Sequence, residues 1–212
     1  MLGLGVSAAI LAGGRARRYG GADKAALPVG GARIIDRQLA ALSGVAEDIR
    51  IVANDPARYA ALGLRVIPDA IADVGPLGGI YSALLDARHD PVIVLACDLP
   101  FVTAALLERL LSERGSGEEI DAVVPRSARG LEPLCAVYHR RCAAAAKARI
   151  DRGALHVAGW LDDLKVRVVG PDTLAPFDAG ALFTNVNTPH DHERARGWVE
   201  VNEKPSEDPI TE

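Results

Sequence analysis

A short apolar strand that breaks into glycines and then arginines constrains this chain more than any other stretch. Val6–Leu11 is short and apolar, as a strand buried on both faces would be. The Gly13–Gly14 pair that follows removes two Cβ atoms, so the backbone can turn sharply and lie against a ligand. Four cationic side chains come next, Arg15, Arg17, Arg18 and Lys24, with Gly20–Gly21 as a second flexible point between them. Backbone N–H groups and closely spaced positive charge in one loop suit a polyphosphate. The spacing is neither that of a Walker A loop nor the Gly-x-Gly-x-x-Gly dinucleotide fingerprint, and Leu2-Gly3-Leu4-Gly5 lies before the strand, on the wrong side for that role. The competing reading, a solvated basic turn, leaves two glycine pairs unexplained.

The chain has 212 residues, room for one substantial α/β domain but not comfortably for two. Residues 1–201 are read as that single domain and 202–212, acidic and proline-containing, as a frayed tail. Apolar residues make up 49 % and aromatics only 4 %, so the core is built mainly from Ala, Leu, Val and Ile. A formal net charge of −4 argues against a general nucleic-acid or membrane-surface binder. No apolar run approaches the ~20 residues of a membrane span, and Met1–Ala12 is too short and uncharged for a secretory signal. Cys97, Cys135 and Cys142 are odd in number and lack Cys-x-x-Cys spacing. They point to core thiols in a reducing cytoplasm rather than to disulfides or zinc.

Along the chain, Ala25–Gly31 reads as a brief extended segment and turn, and Ala32–Leu42 as a helix with Ile34, Ile35, Leu39 and Leu42 at helical spacing. Strands are predicted at Ile49–Ala53, Leu64–Ile67, Pro91–Ala96, Ala122–Pro125, Pro133–Tyr138 and Val166–Val169. A helix is predicted to begin within Asp73–Ile80, and Thr103 reads as the N-cap of another that carries Leu106, Leu107, Leu110 and Leu111. Further helices are predicted over Arg140–Arg149, Leu155–Leu161 and from Pro189 through Trp198. Strands alternating with helices imply a parallel, doubly wound sheet, whose ligands sit beyond the carboxyl ends of the strands. Gly13, Asn54, Asp69 and Asp98 each follow a different predicted strand on that edge.

Asp98 is the sharpest candidate. A carboxylate ending a fully apolar strand must be paired, hydrogen-bonded or bound to metal, and beside a polyphosphate loop magnesium is the natural partner, needing one or two carboxylates plus phosphate oxygens. The bland alternative is an acid capping the next helix. Lys24 and Arg18 are candidate catalytic cations, neutralising charge as a phosphate bond breaks. Asn54 and Asp69 offer an amide and an acceptor for a base edge or ribose, although Asn54-Asp55-Pro56 is also a good turn. Asp73 is a weaker rival to Asp69. Asn185 and Asn187 alternate about Val186, which puts both amides on one side of an extended segment; the alternative is an Asx-type turn before the last helix. The five histidines stand outside these positions and form no Ser-His-Asp set, so direct attack by one substrate phosphate on a nucleotide fits better than a covalent nucleophile.

Together, Leu11-Ala-Gly-Gly-x-x-x-Arg-x-Gly with Asp23-Lys24, Gly75-Pro-Leu-Gly-Gly, Cys97-Asp98-x-Pro-Phe and Asn185-Val-Asn-Thr-Pro resemble the molybdenum cofactor guanylyltransferases. The resemblance spans roughly Val6 to Arg196. It implies a Rossmann-like three-layer α/β/α fold with a mostly parallel central sheet of about seven strands. It also implies transfer of GMP from GTP to the terminal phosphate of molybdenum-carrying molybdopterin, with Mg2+ as the metal and Mn2+ as a substitute. By position, Leu11, Ala12, Gly13, Gly14, Lys24, Asn54, Asp69 and Asp98 match the GTP side, Asp98 the metal ligand, and Asn185 and Asn187 the molybdopterin side. Proteins that deliver or receive the cofactor are implied partners; nucleic acid and membrane are not. Departures are Tyr19 where Met is usual, Gly79 where Ala is common, and Leu131–Cys135 where a Gln-Pro or His-Pro pair often stands. Gly13-Gly14, in place of the Ala-Ala-Gly of cytidylyl-transferring relatives, favours guanine. A cytidylyl- or sugar-1-phosphate nucleotidyltransferase on the same scaffold, and a non-catalytic nucleotide-binding delivery protein, are the competing readings.

Overall fold

The structure, a computed structural model, describes residues 5–12, 24–115, 119–177 and 179–202. Gly13, Gly14, Arg15, Arg17 and Arg18 therefore lie outside the described residues, as does the expected tail beyond Asn202. The strands are β1 (Ser7–Leu11), β2 (Pro28–Val29), β3 (Ala32–Arg33), β4 (Asp48–Val52), β5 (Arg65–Ile67), β6 (Val92–Ala96), β7 (Ala122–Ser127), β8 (Gly130–Leu131), β9 (Cys135–Tyr138) and β10 (Val166–Val169). The α-helices are α1 (Ile34–Ser43), α2 (Gly75–Asp86), α3 (Ala104–Ser112), α4 (Cys142–Asp151), α5 (Val157–Leu161), α6 (Pro171–Leu174), α7 (Ala179–Leu182) and α8 (Pro189–Asn202).

The main sheet runs β10-β7-β9-β6-β1-β4-β5, with β8 paired to β7. β1 lies parallel between β4 and β6, with Leu11 opposite both Val52 and Ala96, and Val52 in turn opposite Ile67 of β5. β9 is antiparallel to both β6 and β7. Segment 128–134 is too short for the crossover helix that a parallel return would need. β7 consequently runs in the same direction as β6, and the carboxyl ends of both fall on one edge of the sheet. The expected mostly parallel sheet with helices on both faces is what the chain forms.

Strict alternation along the strands divides the core. Ala8, Ile10, Ile51, Ile93, Leu95 and Val123 face a layer that includes Ile35 and Leu42 of α1 and Leu106, Leu107 and Leu110 of α3. Ala9, Val52, Val92, Val94 and Val124 face Leu77, Ile80 and Leu84 of α2 with Cys142, Ala146 and Ile150 of α4. A third, smaller cluster joins Val29, Ile34, Phe101, Ala181, Val186, Ala195 and Val199. It seats α8 on the β2–β3 hairpin. Gly30 in that hairpin has φ +60°, and a Cβ there would come within 2.5 Å of Val199 Cγ1, so both backbone and packing call for glycine.

Element boundaries differ from expectation where tertiary contacts intervene. α1 begins at Ile34 because Ala32–Arg33 pair with Pro28–Val29. Pro56–Leu62 forms a 3₁₀ helix, and α6 and α7 add short turns that have too little periodicity to announce themselves. Thr103 does cap α3, its Oγ1 accepting from Leu106 N–H at 3.3 Å. Among the described residues no helix is long and apolar enough to cross a membrane.

Charge is buried at the sheet's opposite edge. Arg50, fully buried, contacts Asp48 and donates to Asp86 Oδ2 at 3.1 Å, while Arg65 grips Asp86 through Nε at 2.9 Å and Nη2 at 2.5 Å. Ser7 Oγ completes the set by donating to Asp48 at 2.8 Å. The Arg65 hydrogen bonds hold the Asp86 carboxyl below its ordinary value. Asp86→Asn is expected to cost about 3 kcal/mol in denaturant melts at neutral pH, because it strips a partner from a buried guanidinium. A native pKa below the unfolded one contributes stability above the unfolded value and loses it as pH falls through the native one. The gap between wild type and variant should therefore close below pH 3.8, the ordinary value for this carboxyl.

Candidate functional site

The order of strands reverses at β1: the chain builds outward through β4 and β5, then returns to lay β6 on β1's other side. Ligands of doubly wound sheets bind beyond the carboxyl ends of strands at such a reversal. The tip of β1 is pinned on both flanks, with Ala12 N–H donating to Val52 O at 2.9 Å and Cys97 N–H donating to Leu11 O at 3.2 Å. Leu11 also packs beneath α2, where a Cβ on Gly79 would lie 3.3 Å from Leu11 Cδ1. Alanine at that position would need the end of the leucine side chain to shift slightly.

Asp98 follows β6 directly, and its backbone is held by groups distant in sequence. Gln38, buried on the inward face of α1, donates to Ala96 O at 2.7 Å and Leu99 O at 3.1 Å. Val186 N–H donates to Asp98 O at 2.9 Å, tying the segment that carries Asn185 and Asn187 to the end of β6. Thr103, not the Asp98 carboxylate, caps the helix that follows. Burial pushes the Asp98 carboxyl above its ordinary value, against the pull of Lys24, of its own backbone N–H, of an Asn187 hydrogen bond and of Arg129. Its Oδ1 is shielded from solvent without a hydrogen-bond partner. Lys24 Nζ, at the start of a short 3₁₀ turn, donates to Asn187 Oδ1 at 2.6 Å.

Lys24, Asp98 and Asn187 thus meet at one point, although 163 positions separate the lysine from the asparagine. Asn185 accepts from Arg129 Nη2 at 3.1 Å. Neither amide serves as the cap of α8. Thr188 and Asp191 do that reciprocally, with Asp191 N–H donating to Thr188 Oγ1 at 3.2 Å and Thr188 N–H to Asp191 Oδ2 at 2.9 Å. Asn54 and Asp69 form a second pair beyond the tips of β4 and β5. The Asn54 amide donates to Asp69 Oδ2 at 2.8 Å, and its Oδ1 accepts from Asp69 N–H at 2.9 Å. Leu11 and Ala12 stand between the two groups. Asp73 takes a left-handed turn conformation (φ 60°) ahead of α2.

Two residues escaped the sequence reading. Gln38 was detectable, as a polar residue in the inward stripe of an amphipathic helix. Arg129 was not, because a lone arginine in a tight turn looks like any solvated charge. Among the described residues no group of three or more His, Cys, Asp or Glu side chains could hold a metal by itself. A cation at this site would rely on Asp98 and on oxygens brought by a substrate, and the unpartnered Asp98 Oδ1 is chemically suited to a hard divalent ion.

Residues 8–166 match the model of the MobA-like NTP transferase domain. The molybdenum cofactor guanylyltransferase of Desulfosudis oleivorans is 34 % identical over 197 residues, covering 92 % of this chain and 96 % of the relative. A probable molybdenum cofactor guanylyltransferase of Pelotomaculum thermopropionicum is 38 % identical over 192 residues, 90 % of this chain and 92 % of the relative. The crystal structure of molybdopterin-guanine dinucleotide biosynthesis protein A from Archaeoglobus fulgidus has a TM-score of 0.77 at 29 % identity, covering 92 % of this chain and 99 % of that one. Matched by that family model over residues 8–166 and 34 % identical to the Desulfosudis relative, this chain belongs to the MobA-like NTP transferase family.

Proposed function

We propose that this protein transfers GMP from GTP to the terminal phosphate of molybdopterin, releasing pyrophosphate and forming a guanine dinucleotide cofactor. The observation that carries this reading is the meeting of Lys24, Asn187 and the buried carboxylate of Asp98 at the reversal point of the sheet. The full-length similarity to proteins named as guanylyltransferases supports the choice of substrates.

An oxygen of the acceptor phosphate attacks the α-phosphorus of GTP, a new P–O bond forms, and the bond to the β-phosphate breaks with its electron pair leaving on pyrophosphate. Lys24 places a fixed positive charge where that charge accumulates. Arg18 and the backbone of Gly13–Gly14 would hold the triphosphate, with Leu11 and Ala12 forming the platform from which their loop departs. Asp98 would hold Mg2+, or Mn2+ in its place, which when bound supplies charge neutralisation on the phosphate oxygens. The Asn54–Asp69 pair, two strands from Asp98, suits the ribose and base of the nucleotide, and Asn185 and Asn187 suit the molybdopterin. Cys97, Cys135 and Cys142 form no disulfide, which fits a cytoplasmic setting in which proteins that deliver and receive the cofactor are the partners.

Pyrophosphate release measured with each of the four nucleoside triphosphates and molybdopterin should single out GTP; equal rates with CTP would remove the guanylyl assignment. Asp98→Asn should lower kcat by about 10²–10³-fold with nucleotide affinity little changed. The same variant should melt at a higher temperature than wild type without ligand at neutral pH, since it relieves a carboxylate that burial disfavours. Lys24→Ala should slow single-turnover GMP transfer by a comparable factor, and an unaltered rate would reduce Lys24 to a surface charge.

A further inference from the structure

An in-line displacement places the attacking and leaving oxygens on opposite sides of the α-phosphorus. Lys24 ends the connection from β1, the flank on which the triphosphate is expected. The acceptor phosphate must approach from the other flank, beyond β6, and a cation is built there. The β7–β8 turn lies two strands from β6 on the side away from β1 and emerges from the same edge of the sheet.

That turn is rigid. Arg126 pairs with Leu131 and Ser127 with Gly130, while Gly130 takes φ +121°, a conformation glycine alone adopts comfortably. Ser127 Oγ accepts from Arg129 N–H at 3.0 Å and donates to Glu132 Oε1 at 2.6 Å. Glu132 thus braces the turn. The Arg129 side chain remains 58 % exposed. Its Nη2 donates to Asn185 Oδ1 at 3.1 Å, and its approach to Glu132 Oε1, at 3.8 Å, is beyond hydrogen-bond distance. A solvated surface arginine has no need of a locked turn beneath it and an asparagine from another segment to aim it. Its planar fork, aimed in this way, matches a phosphate.

We propose that Arg129, aimed by Asn185 from the braced Ser127–Glu132 turn, binds the terminal phosphate of the acceptor substrate across Asp98 from Lys24. The assignment rests on the guanylyltransferase reading. It adds a residue, and a division of labour in which one cation serves each phosphate-bearing substrate.

The test is Arg129→Ala, with molybdopterin titrated at saturating GTP and GTP affinity measured separately by calorimetry. Expected are a rise in acceptor KM of about ten- to a hundredfold, an unmoved GTP Kd and an unmoved melting temperature. Arg129→Lys should recover only part of the loss, having charge without the fork. Acceptor binding to wild type should also weaken with added salt more steeply than binding to the alanine variant. Loss of GTP affinity equal to the loss of acceptor affinity would overturn the assignment by moving Arg129 to the triphosphate, and an unchanged acceptor KM would reduce it to a solvated turn. Wild type that binds GTP but forms no dinucleotide with molybdopterin would instead overturn the functional reading, and this assignment with it. Wild-type turnover with an indifferent Arg129 variant would defeat the assignment alone.

Discussion

A carboxylate largely withdrawn from water at the end of the fully buried strand β6 is the constraint on which the candidate site depends. Water would stabilise the Asp98 anion better than any protein interior, and the surroundings only partly make up the difference. Lys24 and Arg129 contribute charge, Asn187 contributes a hydrogen bond, and Oδ1 is left without a partner. At the other edge of the sheet Ser7, Asp48, Arg50, Arg65 and Asp86 instead pair with one another. The unpartnered Asp98 oxygen at the strand tips, by contrast, is chemically suited to a hard divalent ion.

Much of the fold can be understood as the support this acid needs. Parallel pairing of β1 with β6 sets the register that brings Cys97 N–H to Leu11 O, and Gln38 uses its amide to hold the turn on either side of Asp98. The small third cluster does the remaining work. Because Val199 packs on Gly30 and Val186 is buried among Val29, Ile34 and Phe101, the 185–187 segment is delivered to the tip of β6 from the far end of the chain. His192 adds to this docking through its Nε2 contact with Pro28 O at 2.6 Å.

Legibility from sequence followed the range of the interactions concerned. Thr103 was readable as a cap because its partner lies three residues away. β6 was readable because five consecutive apolar residues leave little choice, and Asp98 was conspicuous by ending that run. The pairing of Asn54 with Asp69 was not readable: each is a good turn residue alone, and only the parallel register of β4 and β5 makes them neighbours. Arg129 was hidden for the same reason, its partner lying 56 positions away. α1 was read two residues too early because helical periodicity cannot report a hairpin that claims Ala32 and Arg33.

What the sequence determined by itself was the class of sheet, the strands whose ends carry the candidate site, and the residue types assembled there. Apolar runs, glycine pairs and a terminal acid act locally and need no partner to be recognised. The tertiary structure alone decided which polar groups meet: that Lys24 and Asn187 converge beside Asp98, that Arg129 is aimed by Asn185, and that Gln38 clamps the turn between them. Those contacts depend on strand order and on the docking of α8. Both are settled by burying two faces of one sheet and a third small cluster at once, a property of the whole chain that no single stretch of it contains.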